Sequence, residues 1–167
     1  MNWDEYFIRQ AMLVSEKSKD PSTKVGCVIV GKDNEVLSTG FNGFPRGVQE
    51  GAYERYIGEG MKYELRKDRW DRPEKYKWIE HAERNAIYNA ARNGIRLLGA
   101  RAYLNWEPVP CSDCARAFIQ AGIVEVIGPN IPFPGAGVGV HYHIGKSTEM
   151  LIESGMKIRR VTWKILE

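Results

Sequence analysis

Lys77-Trp78-Ile79-Glu80-His81-Ala82-Glu83-Arg84-Asn85-Ala86-Ile87, answered downstream by Pro110-Cys111-Ser112-Asp113-Cys114, decides how the rest of the chain reads. Reduced to essentials it is H-x-E, about thirty residues, then P-C-x-x-C. One imidazole and two thiolates make three protein ligands suited to zinc. The fourth tetrahedral position stays open for water, whereas structural zinc sites close all four. Glu83 follows His81 by two residues and is free to handle protons beside that water. Cys111 and Cys114 stand at i and i+3, so both thiols project from one helix face. Pro110 fits a helix start, and a helix N-terminus favours the thiolate that binds metal. His81 falls at the start of a second helix, so two helix N-termini converge on the site. Cys111-x-x-Cys114 alone would suit a redox dithiol, and His81 alone a packed or surface histidine. Glu83 and Pro110 at this spacing separate the metal reading from both.

Outward from that constellation, the composition sets bounds. A chain of 167 residues suits one domain with a core large enough to fold alone. A net charge of +3 is too mild for a nucleic-acid surface, so no nucleic-acid partner is expected. Three cysteines, two of them in one C-x-x-C, do not make a secreted disulfide framework. Asp4 and Glu5 stand where a signal peptide needs basic then apolar residues, and no apolar run approaches ~18 residues, so no membrane span is expected. A reducing cytoplasm is the expected home, and it keeps the thiols available for metal.

Residues 2–18 read as an amphipathic helix with Trp3, Phe7, Ala11 and Val14 on its apolar side, ended by Asp20-Pro21-Ser22. Val25–Val30 and Val36–Thr39 flank a polar turn as a hairpin. Cys27, among valines, reads as a small core residue. Gly40-Phe41-Asn42-Gly43-Phe44-Pro45-Arg46-Gly47 lets the backbone turn sharply and approach a ligand. Asn42 there either holds a turn or presents its amide to a sugar hydroxyl. In residues 48–80, Tyr53, Ile57, Met61 and Leu65 recur at four-residue steps, but Gly51, Gly58 and Gly60 weaken a helix. The run Arg66–Arg72 mixes both charges with Trp70, and reads as a solvated connector or as a lid presenting cations to a phosphate.

His81–Asn93 reads as a helix with Ala82, Ala86 and Ala90 inward and Gly94 past its end. Ala102, Leu104 and Trp106 alternate with Arg101, Tyr103 and Asn105 as a strand. Cys111–Ala121 is a helix stopped by Gly122, Val124–Ile127 a strand, Ser147–Ser154 a helix and Ile158–Ile165 a final strand. Helices alternating with strands after a hairpin predict an α/β, three-layer α/β/α fold: a mixed sheet of about five strands with helices on both faces. No domain boundary shows, so residues 1–167 read as one domain with a 44–80 insert acting as substrate lid or regulatory region.

Four segments resemble the zinc-dependent cytidine and deoxycytidylate deaminases, and within them the deoxycytidylate (dCMP) deaminases. They are Ser18-Lys19-Asp20-Pro21-Ser22-Thr23-Lys24-Val25-Gly26, the Gly40–Gly47 loop, His81-Ala82-Glu83-Arg84-Asn85-Ala86-Ile87 and Pro110-Cys111-Ser112-Asp113-Cys114-Ala115. The likeness covers roughly residues 1–127 well and the tail loosely. It implies the cytidine-deaminase-like fold and hydrolysis of dCMP to dUMP, feeding thymidylate synthesis. It also implies a homo-oligomer, hexamers being common, with activation by dCTP and inhibition by dTTP with Mg²⁺. His81, Cys111 and Cys114 would hold Zn²⁺, with Glu83 as proton shuttle. Asn42 would bond the 3′-hydroxyl, the Ala82 amide the base O2, and the Pro110 carbonyl the reacting amino group. Lys24 and Val25 would border the pocket. Arg46, His141 and His143 are candidates for the phosphate; His141-Tyr142-His143 reads as a pocket loop or an incomplete second metal site.

Three rivals stand beside this reading. The same chemistry on dCTP or another cytosine nucleotide stays open, because the tail departs from the usual pattern of the dCMP deaminases. A tRNA adenosine deaminase is opposed by weak basicity and by Ser112-Asp113 after the first cysteine. A zinc-stabilised binding module would not need Glu83 beside an open position.

Overall fold

The computed structural model describes residues 1–48, 68–131 and 143–162. Helix α1 (Trp3–Ser15) opens the chain, capped by Asn2, whose side chain accepts the Glu5 amide at 2.9 Å. It buries Phe7, Ile8, Ala11 and Ser15. Trp3, expected in that stripe, is 56% exposed: it lies in the first turn and covers Phe7 from outside, ring centroids 5.6 Å apart. The helix stops at Ser15, before the Pro21 signal, because the amides of Lys17 and Ser18 bond carbonyls three residues back and tighten the last turn.

The hairpin forms as expected from β1 (Gly26–Val30) and β2 (Val36–Phe41). Its turn is closed by the Gly31 amide on the Glu35 carbonyl at 2.9 Å, with Asn34 at φ 67°. There follow α2 (Ala82–Arg92), β3 (Arg101–Leu104), α3 (Ser112–Ala121), β4 (Glu125–Pro129), α4 (Ile144–Glu153) and β5 (Lys157–Val161). The sheet order is β2-β1-β3-β4-β5. β1 is antiparallel to both neighbours, and β3, β4 and β5 run parallel. This is the mixed five-stranded sheet that the sequence predicts.

Strand periodicity divides the core into two. Val28, Val30, Tyr103 and Ile127 lie with Phe7, Ile8 and Ala11 on one side. Cys27, Ile29, Ala102, Leu104 and Val126 lie on the other with Ala82, Ala86 and Ala90 of α2, Phe118 of α3 and Leu151 of α4. Each fully buried aliphatic or aromatic side chain here contributes ~1.5–3 kcal/mol. Cys27, fully buried in a strand, is a core residue as expected, and burial pushes its thiol well up.

Tyr103 differs from expectation. It was placed with Arg101 and Asn105 on the polar side of its strand, yet it is fully buried against Phe7, ring centroids 4.9 Å apart. Helices cover both faces of β3, so alternation there is apolar on each side. The Tyr103 hydroxyl donates to Asp4 Oδ1 at 3.0 Å, and burial together with that carboxylate pushes the phenol up to about 12. Asp4 also accepts the Arg159 guanidinium, tying α1 to β5.

Two glycines set the layer spacing. A Cβ at Gly26 would lie 2.0 Å from the Ala11 carbonyl oxygen of α1. One at Gly40 would lie 2.3 Å from both the Ala82 oxygen and the Ala86 nitrogen of α2. Helix α4 begins at Ile144, three residues ahead of the expected Ser147, and the last expected residues of β5 lie outside the described set. Among the described residues no helix is long and apolar enough to cross a membrane.

Candidate active site

Because Gly40 lets α2 lie directly on β2, the N-terminus of α2 is fixed at the carboxyl edge of the hairpin's second strand. His81 is its N-cap, and Glu83 lies in its first turn. Cys111 is the N-cap of α3, with Cys114 in that helix's first turn. The two helix starts bring three ligand atoms within 4.8 Å of one another. His81 Nδ1 lies 3.3 Å from Cys111 Sγ and 3.5 Å from Cys114 Sγ. Zinc bonds of about 2.3 Å to sulfur and about 2.0 Å to nitrogen at tetrahedral angles put such atoms roughly 3.6 Å apart. The two nitrogen-to-sulfur distances therefore match a tetrahedral zinc site.

The electrostatics argue the same way. Hydrogen bonding from Cys114, outweighing burial and joined by His81, holds the Cys111 thiol down to about 4. That bond and burial push Cys114 well up. Without a cation the pocket tolerates one thiolate and forces its neighbour to keep a proton; a divalent ion removes that conflict. Burial lowers the imidazole of His81, but its bond to Cys111 and the Glu83 charge carry it net above its ordinary value. Burial raises Glu83 above the usual carboxylate range, against the pull of His81. A carboxyl 7% exposed and poised upward can both accept and release a proton.

These groups open onto a cavity of about 600 Å³, within the range that holds a small-molecule ligand. Of the residues singled out from the sequence, His81, Glu83, Cys111, Ala82, Pro110, Val25 and Asn42 line it. Cys114 completes the cluster from behind, fully buried. Asn42 is only 6% exposed. Its Oδ1 accepts the Val25 amide at 2.8 Å and its Nδ2 donates to the Thr23 carbonyl at 2.9 Å and to Asp20 Oδ2 at 3.3 Å. It therefore holds the turn, with both Nδ2 protons engaged and Oδ1 accepting one hydrogen bond, while lining the cavity. The Pro110 carbonyl already accepts the buried Ser147 hydroxyl at 2.6 Å, which fixes its direction from α4.

Lys24 and Arg46 are not brought to the cavity. Lys24 is exposed and engages through its carbonyl, which accepts Asn105 Nδ2 at 3.2 Å. Arg46 is exposed and donates to Asn89 on α2. His143 is exposed ahead of α4, where the neighbouring Ile144 is the residue that reaches the cavity. His141 lies outside the described residues, as do 49–67 of the 44–80 insert, including its Tyr53–Leu65 pattern.

The sequence reads Arg66–Arg72 as a connector or a cation-presenting lid, but it does not single out which residues of the stretch before α2 line the cavity. Two short 3₁₀ turns, Asp68–Trp70 and Glu74–Lys77, precede α2, and Arg72, Lys75, Tyr76 and Ile79 from this stretch line the cavity. Lys75, 2% exposed, is ion-paired with Asp20, 1% exposed, at 2.8 Å. Asp20 was legible as part of the segment ahead of β1, but nothing local distinguishes Lys75 from a surface lysine. Arg69 stacks over Trp78, 3.9 Å from the ring centroid, and steadies the same turn.

Comparison with known proteins agrees with the site. A family model described as the cytidine and deoxycytidylate deaminase zinc-binding region matches residues 1–128. The chain is 37% identical over 128 residues to a probable deoxycytidylate deaminase of Drosophila melanogaster, covering 76% of this chain and 59% of that one. It is 36% identical over 127 residues to the deoxycytidylate deaminase of Mus musculus, covering 76% of this chain and 64% of that one. The match thus spans about six-tenths of these curated relatives' length. In three dimensions the chain resembles the apo crystal structure of dCMP deaminase from the cyanophage S-TIM5. The TM-score is 0.65 at 22% identity over 95% of this chain and 96% of that one, a likeness of fold.

Proposed function

Since the chain belongs to the cytidine and deoxycytidylate deaminase zinc-binding family, we propose that it hydrolyses dCMP to dUMP and ammonia. The observation that carries this reading is the His81, Cys111 and Cys114 cluster with Glu83 beside it at one end of a nucleotide-sized cavity. His81, Cys111 and Cys114 would hold Zn²⁺. When bound, zinc supplies a Lewis acid that makes a water nucleophilic near neutral pH. Glu83 accepts a proton from the attacking water and delivers it to N3 of the cytosine, which makes C4 electrophilic. After the water oxygen has bonded to C4, Glu83 takes the remaining hydroxyl proton and passes it to the exocyclic nitrogen; the C4–N bond breaks, ammonia leaves and C4 becomes the carbonyl of dUMP. The raised carboxyl of Glu83 suits a group that must both take and give protons.

The chain's other groups orient the substrate. In this reading the Ala82 amide at the α2 N-terminus donates to the base O2, and the Pro110 carbonyl, which accepts the Ser147 hydroxyl, accepts also from the amino group. The free lone pair of Asn42 Oδ1 accepts the 3′-hydroxyl, and Val25 closes the wall beside it. A cytoplasmic homo-oligomer, a hexamer in particular, and control by dCTP and by dTTP with Mg²⁺ complete the reading. The names of the relatives support the substrate: each of the two is called a deoxycytidylate deaminase.

The test is ultraviolet detection of deamination with the zinc-loaded protein, offered dCMP, CMP, dCTP, deoxycytidine and adenosine-containing tRNA, with and without dCTP and dTTP. The expected result is fastest turnover of dCMP. Preferred turnover of dCTP or of tRNA would replace this substrate assignment, and zinc binding without turnover of any of them would leave a binding module.

A further inference from the structure

Among the described residues, four charged side chains other than the metal cluster and Glu83 line the cavity, and three are already neutralised. The Lys75 ammonium has three protons, and three acceptors use them: Asp20 Oδ1 at 3.1 Å, Asp20 Oδ2 at 2.8 Å and Ser22 Oγ at 2.6 Å. Asp20 is therefore spent on Lys75, and Ser22 returns its own proton to Asp20 Oδ1 at 2.8 Å. Glu107, 5% exposed, is ion-paired with Arg160 of β5. Arg72 remains. It lies in the cavity wall, exposed at its mouth, with no ion pair among the described residues; its guanidinium sits 6.0 Å from the Tyr76 ring centroid.

The turn that carries Arg72 is rigid for a reason that the same network supplies. The Lys75 amide bonds the Asp71 carbonyl at 2.8 Å and the Tyr76 amide the Pro73 carbonyl at 3.2 Å, closing the backbone on itself. Lys75 then nails that turn to the loop before β1 through a pair withdrawn from water. A forked cation carried on a turn closed by its own backbone hydrogen bonds can receive a phosphate by two parallel hydrogen bonds.

We propose that Arg72 binds the 5′-phosphate of the substrate, and that the buried Lys75–Asp20 pair positions its turn to do so. This makes Arg72 the residue that separates a nucleoside monophosphate from a nucleoside. The inference rests on the nucleotide reading above. Its chemistry differs from that of Arg46 and Lys24, which the fold directs away from the cavity.

The experiment compares zinc-loaded wild type, Arg72→Ala and Arg72→Lys on dCMP and deoxycytidine. dUMP and inorganic phosphate binding are followed by calorimetry. Arg72→Ala is expected to lower kcat/KM for dCMP about ten- to a hundred-fold, mainly through KM, and to leave deoxycytidine within about twofold. Arg72→Lys should fall between, because a point charge keeps attraction without the fork. In the binding arm, dUMP affinity should drop by the same factor. Equal losses on both substrates, or unchanged dCMP turnover and dUMP binding, would overturn the assignment of Arg72. A wild type that deaminates neither substrate yet binds dUMP through Arg72 would refute the deaminase reading and leave the phosphate site standing. Absence of dUMP binding to wild type would refute the phosphate site.

Discussion

In the proposed mechanism proton transfer depends on Glu83, and its environment makes a separable prediction. It is not one of the three clustered ligand atoms, so Glu83→Ala should keep zinc at one equivalent while kcat falls ~10²–10⁴-fold. Metal analysis and the ultraviolet assay on one preparation check both halves, and near-wild-type turnover would remove Glu83 from the mechanism. The four residues His81, Glu83, Cys111 and Cys114 were readable from sequence because metal chemistry restricts residue type and helix geometry restricts spacing. Cations for the phosphate were not. A lysine or arginine carries the same local signature whether it faces solvent, a buried carboxylate or a ligand. So Lys24 and Arg46 were chosen beside a recognisable motif, while Arg72 and Lys75 were hidden in a run of mixed charge.

Between elements, the close approach of α2 to β2 at Gly40 holds the site. Gly40→Ala would drive a methyl into backbone atoms 2.3 Å away at Ala82 and Ala86, one turn from His81 and Glu83. Overpacking of this kind costs ~1–3 kcal/mol. Melting should show that loss, and kcat should fall with it because α2 carries both the imidazole and the carboxyl. An unchanged midpoint would mean that the helix moves away freely. The Lys75–Asp20 pair joins the turn before α2 to the loop before β1. Lys75→Met strands a buried carboxylate and should cost ~3 kcal/mol, whereas adding Asp20→Asn should restore much of it.

That pair also sets the acid limit. Burial alone raises Asp20, but hydrogen bonds from Lys75 and Ser22 bring it net below its ordinary value; Asp4 is likewise lowered, its bond from Arg159 outweighing burial. With folded values depressed, the stabilisation is fully present above the unfolded pKa of ~4 and is lost as pH falls through the folded values. The melting midpoint should thus hold level from pH 7 to about 5 and drop below about 4. In Asp4→Asn the drop should be shallower, and an equally steep one would assign acid lability elsewhere.

At the scale of the molecule, periodicity and punctuation predicted the hairpin, the alternation after it and the mixed sheet, since each element's face pattern is local. What escaped was set by layers: Tyr103 is inside because α1 covers a face that alternation alone would leave wet, and Trp3 is outside because it lies over Phe7 on the outer side of α1. The metal cluster belongs to this scale too, because it joins the starts of α2 and α3, two helices packed on the same face of the sheet. No unfolded chain presents His81, Cys111 and Cys114 together, so zinc should bind the native state and raise its stability by RT ln(1 + [Zn]/Kd). With free metal about a thousand-fold above Kd that is ~4 kcal/mol. A chain of this size gains ~2–4 °C per kcal/mol, so chelation should lower the midpoint by roughly 10 °C, and added zinc should restore it. Cys111→Ala with Cys114→Ala supplies the control: lacking both sulfurs, its midpoint should ignore the chelator. A wild type equally indifferent would show that the three atoms, though within 4.8 Å of one another, hold no ion that matters to the fold. The coupling between the two helix starts would then have to come from packing alone.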